Sequence, residues 1–176
     1  VYLEPGGSEL RRGVRNWLAP AQADPEKDLS GFEAVGQAKL AASAPGLAGQ
    51  ASLRVETSGA GDGFATVPFA APDVMRYTGS LFLRGARGGE RVRVRIEERK
   101  GGIASPEREV TLTTGWQRAF AVLPVAELQR TARLPDGKEA KVDALPEVRL
   151  VITAADGPAA FFADALQVEQ AGVHYV

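Results

Sequence analysis

Few residues in this chain have the chemistry for catalysis. Cysteine is absent, and His174 is the only histidine in 176 residues. That excludes a Cys–His pair, leaves no multi-histidine zinc site and makes any serine triad depend on one imidazole near the end of the sequence. His174 therefore reads as a surface residue. Carboxylates are plentiful, Asp and Glu together numbering 22, and two of them could in principle hydrolyse a glycosidic bond. They fall in turns and on charged strand faces, however, and no two form a recognisable constellation. Gly-rich stretches such as GAGDG at 59–63 are not followed by a helix, so they are hairpin turns rather than phosphate cradles. No catalytic activity is expected.

Binding chemistry is better represented. Asp164 stands inside the apolar run FFADALQV, where an unpaired carboxylate would be costly and calls for a partner, a metal or water. Trp17, Phe32 and Trp116 are candidates for stacking on a ligand ring, and each is equally a candidate for packing. Arg84, Arg93, Arg95, Arg118 and Arg149 fall at outward strand positions and could share one sheet face. If that face is concave, it could hold acidic sugars through bidentate hydrogen bonds. The alternative is a solvated row laced with Glu97 and neighbouring acids.

The elements that position these residues are strands. Short alternating or β-branched runs recur between Gly, Pro, Asp and Ser clusters, the pattern of an all-β sandwich or barrel. Strands are predicted near 38–43, 50–57, 62–69, 76–84, 90–98, 107–113, 116–123, 147–154 and 160–168. The clearest is ERVRVRIEE: Val92, Val94 and Ile96 face one way while Arg91, Arg93, Arg95 and Glu97 face the other. A slip of one residue would bury guanidinium groups, which fixes the register. Leu150, Ile152, Leu166 and Val168 join the predicted core. Sequential strands separated by such turns should pair antiparallel. Residues 1–30 and 124–146 lie outside this rhythm. The second contains a possible helical turn at 125–130 and a possible hairpin around Pro135-Asp136-Gly137. Loops of that length are commonly functional.

Length and composition suit one soluble domain with a core of its own. A net charge of −1 and a pI near 6.0 give no global field for nucleic acid or an anionic membrane. No apolar run is long enough to span a bilayer, and VYLEPGGSELRRGV does not read as a secretion signal. The missing initiator Met suggests a piece of something longer. Asn16 is the only asparagine; scarcity of thermolabile side chains would suit a hot environment, and a GC-rich genome would produce the same bias.

Five motifs occur in a telling order: RNWLAPAQADPEKDLSGFEAVG, GQASLRVET, MRYTGSLFLRG, LTTGWQRA and FFADALQVEQAGVHY. Together they resemble the galactose-binding-like jelly-roll modules, which include the carbohydrate-binding modules of glycosidases and similar modules of bacteriophage tail and fibre proteins. The form Asp164-Ala165-Leu166-Gln167-Val168-Glu169, followed by Gly172 and Tyr175, is similar to the phage variety. The opening segment departs from the family pattern, with Ala21-Gln22-Ala23 near its Asn-Pro-Ser and Phe32 in place of Trp. The resemblance implies an all-β jelly-roll β-sandwich of two antiparallel sheets over 31–176, preceded by an arm at 1–30. It also implies a structural calcium held by Asp164, by Glu26 or Asp24, and by carbonyls around Gly49 to Ser52; without an ion, Asp164 would accept backbone amides of the first segment. The role it implies is a non-catalytic structural or adhesion module of a virion, a homo-oligomer or bound to other virion proteins through the arm and the 124–146 insertion. Surface glycans are possible ligands, and neither nucleic acid nor membrane is. The alternative is a carbohydrate-binding module of an extracellular glycoside-degrading enzyme.

Overall fold

The computed structural model describes residues 16–26, 28–47, 49–70, 76–99, 104–123, 131–133, 139–141 and 147–171. Alternation of apolar and polar side chains turns these residues into two layers of strands. One sheet is built from β1 (Phe32–Val35), β4 (Gly63–Thr66), β12 (Glu147–Ala154), β7 (Arg91–Glu98) and β8 (Arg108–Thr111), paired in that order, with β5 (Phe69–Ala70) beside β12. The other runs β2 (Lys39–Ser43), β3 (Ser52–Glu56), β13 (Ala160–Ala171), β6 (Arg76–Gly85) and β9 (Gln117–Leu123). Every pairing is antiparallel. The chain passes repeatedly from one sheet to the other, so the fold is a jelly-roll β-sandwich, as the alternation and turn spacing predict.

The core lies between the layers. Val92, Val94, Ile96, Leu150 and Ile152 from the first sheet meet Leu53, Val55, Leu81, Leu83, Phe161, Leu166 and Val168 from the second, all essentially buried. Each such side chain contributes about 1.5–3 kcal/mol by leaving water. Phe64 ties the stack together, with Phe32 edge-on at 6.0 Å and Phe161 at 6.5 Å. Gly79 on β6 leaves room for the facing layer: a Cβ there would lie 2.8 Å from Leu150 Cδ1.

Three local details differ from the strand pattern read in the sequence. Phe32 opens a strand, β1, which pairs with β4 from Phe32↔Thr66 to Val35↔Gly63; its four residues are too few for alternation to register. The strand predicted over 62–69 breaks after Thr66, because Pro68 has no amide to donate to a sheet. Residues Pro20–Ala23 form one helical turn that buries Gln22, whose Oε1 accepts from the Ala19 amide. Within 124–146, β10 (Thr131–Arg133) and β11 (Glu139–Lys141) pair antiparallel on either side of the expected turn. The helical turn expected at 125–130, the arm before residue 16, and Gly172, His174 and Tyr175 lie outside the described residues. Among the described residues no helix is long and apolar enough to cross a membrane.

The outward side of the first sheet is closed by ion pairs. Arg95 meets Glu97 at 2.6 Å and Glu107 at 3.1 Å; Arg149 meets Glu97 at 2.7 Å and Glu33 at 3.4 Å. Arg93 lies 3.8 Å from both Glu107 and Glu109, and Arg91 pairs with Glu109 and Asp156. Burial pushes the Glu97 carboxyl up, but hydrogen bonds and charge from Arg95 and Arg149 outweigh it and leave it below the usual 4.5. A carboxyl depressed on folding stabilises the fold above its unfolded value, and the contribution is lost as pH falls through the folded value. Glu97→Gln should therefore lower the melting temperature near neutral pH. The gap to the parent should shrink as the pH drops below about 4.5, measured by thermal denaturation across pH. A gap that persists unchanged in acid would show that Glu97 acts by packing alone.

Candidate functional site

The second sheet presents a different outward face. Its central strands, β13 and β6, carry large side chains on both sides of the pleat. While Leu81, Leu83, Phe161 and Ala163 point into the core, Phe82, Arg84 and Phe162 alternate with them and point out. Cross-strand register sets Phe162 between Arg54 of β3 and Arg84 of β6, and Phe82 between Asp164 of β13 and Arg118 of β9. One step further along, Ser80 stands between Gln167 and Phe120. Trp116 immediately precedes β9.

These neighbours touch in a regular way. The Arg84 guanidinium lies 4.0 Å from the Phe162 ring centroid and 5.1 Å from that of Trp116. Cations are drawn to aromatic faces by the ring quadrupole. Arg108, at the start of β8, covers Phe120 in the same way at 3.9 Å. Phe120 is 40% exposed, more than most large apolar side chains here. Arg118 Nη2 donates to Ser80 Oγ at 3.0 Å. The result is a sheet surface of aromatic rings interleaved with forked donors. Rings of this kind can stack on the weakly positive C–H faces of a sugar, and guanidinium groups can donate to its oxygens.

The residues predicted from sequence divide among three places. Trp116 and Arg84 come together on this face. Trp17 and Phe32 belong to the core: Trp17 is half-buried and edge-on to Tyr77 at 6.4 Å, and Phe32 is buried against Phe64. The expectation that Arg84, Arg93, Arg95, Arg118 and Arg149 share a face is corrected. Arg84 and Arg118 are on β6 and β9, whereas Arg93, Arg95 and Arg149 are on β7 and β12 of the opposite sheet, tied to carboxylates. Phe82, Phe120 and Phe162 were not singled out beforehand. The available signal was an aromatic at the outward parity of a strand whose inward parity is already apolar.

The carboxylates implicated in calcium binding are also distributed. Asp164 is 1% exposed; its Oδ2 accepts the Leu47 amide at 2.6 Å and its Oδ1 the Ala165 amide at 2.7 Å. Glu26 Oε1 accepts the amides of Gln50 and Ala51. Carboxylates from the opening segment and the last strand thus close on the same loop, 47–51. For Asp164 one amide comes from that loop and one from its own neighbour, Ala165. Asp24 instead caps its own turn, Oδ1 accepting the Glu26 amide at 3.0 Å. Among the described residues no group of three or more His, Cys, Asp or Glu is gathered to hold a metal. Two acidic groups reaching one loop from opposite ends of the sequence fit calcium in oxygen chemistry, with the remainder of its six to eight ligands left to carbonyls and water.

Known structures share this architecture. The chain matches the CBM22-1 xylan-binding domain of Paenibacillus barcinonensis Xyn10C with a TM-score of 0.59 and 15% identity, covering 92% of this chain and 98% of that one. It matches TmCBM61 in complex with β-1,4-galactotriose at 0.57 and 14%, over 89% and 99%. An arabinose-bound α-L-arabinofuranosidase, MgGH51, matches at 0.60 and 16%; there the chain spans 90% of itself but 27% of the enzyme. The CBM22-1–GH10 portion of Clostridium thermocellum xylanase 10B, with xylohexaose, is covered over 28% of its length. At these identities the likeness is one of fold, the jelly-roll β-sandwich that those modules share. No family model and no curated protein sequence matches the chain.

Removing the Asp164 carboxylate would strand at least two backbone amides in a buried setting. Each such group costs about 1–3 kcal/mol, so Asp164→Ala should destabilise the fold by roughly 2–4 kcal/mol in urea denaturation. A loss below about 0.5 kcal/mol, the usual range for surface substitutions, would mean that the loop 47–51 is held by other contacts.

Proposed function

We propose that this chain is a non-catalytic glycan-binding module, with its ligand lying across the outward face of β3, β13, β6 and β9. The observation that carries this is the row of Trp116, Arg84 and Phe162, continued by Phe82 and the exposed Phe120. The fold shared with xylan- and galactotriose-binding modules supports it. The role expected first, a structural module of a virion, has no counterpart among those structures, whereas its alternative does. The proposed setting is therefore outside the cell, beside a glycoside-degrading catalytic domain that this module keeps near its polymer.

A structural calcium is proposed alongside it, with Asp164 and Glu26 as the acidic ligands. The ion would tie the opening segment, the loop 47–51 and the last strand together. The protein residues already do part of that work, since both carboxylates hold the loop through its amides.

Isothermal titration against a panel of plant and bacterial cell-wall oligosaccharides tests the binding reading. At least one should bind, and Trp116→Ala and Phe120→Ala should each weaken it about tenfold, which corresponds to about 1.4 kcal/mol. Failure of every oligosaccharide to bind folded protein would overturn it. Calcium is tested separately: EDTA should lower the melting temperature, calcium should restore it, and Asp164→Ala should remove the response. A parent protein indifferent to both additions would leave only the hydrogen-bonded clasp.

A further inference from the structure

The two outward faces treat arginine differently, although Arg54 of the second sheet is also paired, with Glu56. On the first sheet Arg91, Arg93, Arg95 and Arg149 each sit within ion-pair distance of a carboxylate. On the second sheet Arg84 and Arg118 have no carboxylate partner among the described residues, nor has Arg108 of β8, the edge strand of the first sheet that reaches over to Phe120. Among the described residues Arg84 donates no side-chain hydrogen bond; it is held in place by two rings, and its Nε is buried without an acceptor. Among the described residues Arg118 gives a single side-chain bond, to Ser80. Carboxylates that could neutralise the patch are committed elsewhere: Glu56 pairs with Arg54 at 2.5 Å, and Asp164 is buried against the loop 47–51. Glu169 lies two steps along the strand beyond the row of Ser80, opposite Thr78.

We infer that the glycan this face takes is acidic, carrying uronic acid carboxylates that meet Arg84 and Arg118. The inference rests on the glycan-binding reading above and names the class of sugar. Three physical points lead to it. Bonds from a guanidinium to an ionised acceptor are roughly twice as strong as those between neutral groups, and the planar fork matches a carboxylate's two oxygens. A guanidinium fixed between rings loses little further freedom on binding, and it is weakly hydrated to begin with. Finally, a surface that only had to hold neutral hydroxyls would gain nothing from leaving two cations unbalanced while Arg91, Arg93, Arg95 and Arg149 on the opposite side are all paired. The uncommitted charge marks where the ligand supplies the anion. The flanking aromatic rings supply the apolar floor on which the sugar rings lie.

The test is calorimetric titration of the intact chain with glucuronic-acid-bearing xylo-oligosaccharides and with oligogalacturonates. Each is compared with its own carboxyl-reduced form. At least one acidic oligosaccharide should bind ten times or more tightly than its reduced counterpart, with the preference shrinking as salt is raised. Arg84→Lys, which keeps charge but loses the fork, and Arg118→Gln should both bring that ratio towards one. Arg93→Gln, on the opposite sheet, should leave the ratio where it was. Melting curves establish that each variant is folded; should Arg84→Lys fail to fold, Arg118→Gln decides alone. Equal binding of acidic and reduced forms, or binding of neutral glycans only, would overturn the inference while leaving glycan binding intact. Equally tight binding of a sulfated oligosaccharide would replace carboxylate recognition with general anion binding and so also overturn it. Binding of no oligosaccharide, charged or neutral, would overturn the parent reading as well.

Discussion

The last strand has to satisfy two demands that simple alternation cannot meet together. Phe161 and Ala163 point into the core, and so do Leu166 and Val168. An even spacing of two cannot place both pairs on one face. The strand resolves this with a bulge between Asp164 and Gln167, where three steps of β13 face two of β6 and Ala165 adopts φ 49°. The extra residue resets the parity of the pleat. It also leaves the Asp164 carboxylate turned away from the core at the point where the sheet changes neighbour. Before the bulge β13 pairs with β3; after it, the opening segment takes that side, with Asn16 bridged to Glu169 and the Trp17 amide donating to Val168 O at 2.8 Å. The clasp of Asp164 and Glu26 on the loop 47–51 sits at this junction. Register of β13 and seating of the opening segment both follow from it.

That junction also explains why the two faces of the sandwich differ. Phe162 precedes the bulge and stays in register with Arg84, so an aromatic side chain is available to hold that guanidinium. On the opposite sheet β7 and β12 run without interruption through seven paired residues. Acids there fall opposite or beside every arginine, and the surface neutralises itself. A self-neutralised face is a solvated wall, whereas rings bearing unspent cations form a face with capacity left for a ligand.

Much of this was legible in the sequence. Strict alternation in ERVRVRIEE gave β7 its faces, and the same reasoning placed Leu150, Ile152, Leu166 and Val168 in the core. Turn residues between short runs marked nearly every strand boundary. Two things were not legible. Alternation says which residues share a face within one strand, but not which sheet a strand joins, so Arg84 and Arg93 looked alike although they lie on opposite outer surfaces. Nor does it settle aromatic roles: Trp17 and Phe32, outside the clear strands, suit either stacking or packing, and Tyr77 and Phe64 draw them into the core. Phe162 and Phe120 read as ordinary strand apolars until their partners were known. The Asp164 anomaly was visible, and the need for a partner followed from its burial. The identity of that partner, the Leu47 amide 117 residues away, came only with the fold.

The central claim is that ligand binds on the aromatic–arginine face of the second sheet. Proton–nitrogen correlation spectra recorded during titration with a bound oligosaccharide address it directly, since the chain has two tryptophans on different sites. The account predicts that the indole signal of Trp116 shifts together with amides of 82–84, 118–120 and 162, while the Trp17 indole and the amides of 91–97 stay in place. Shifts concentrated on β7 and β12, or at the sandwich ends with Trp116 unmoved, would contradict it.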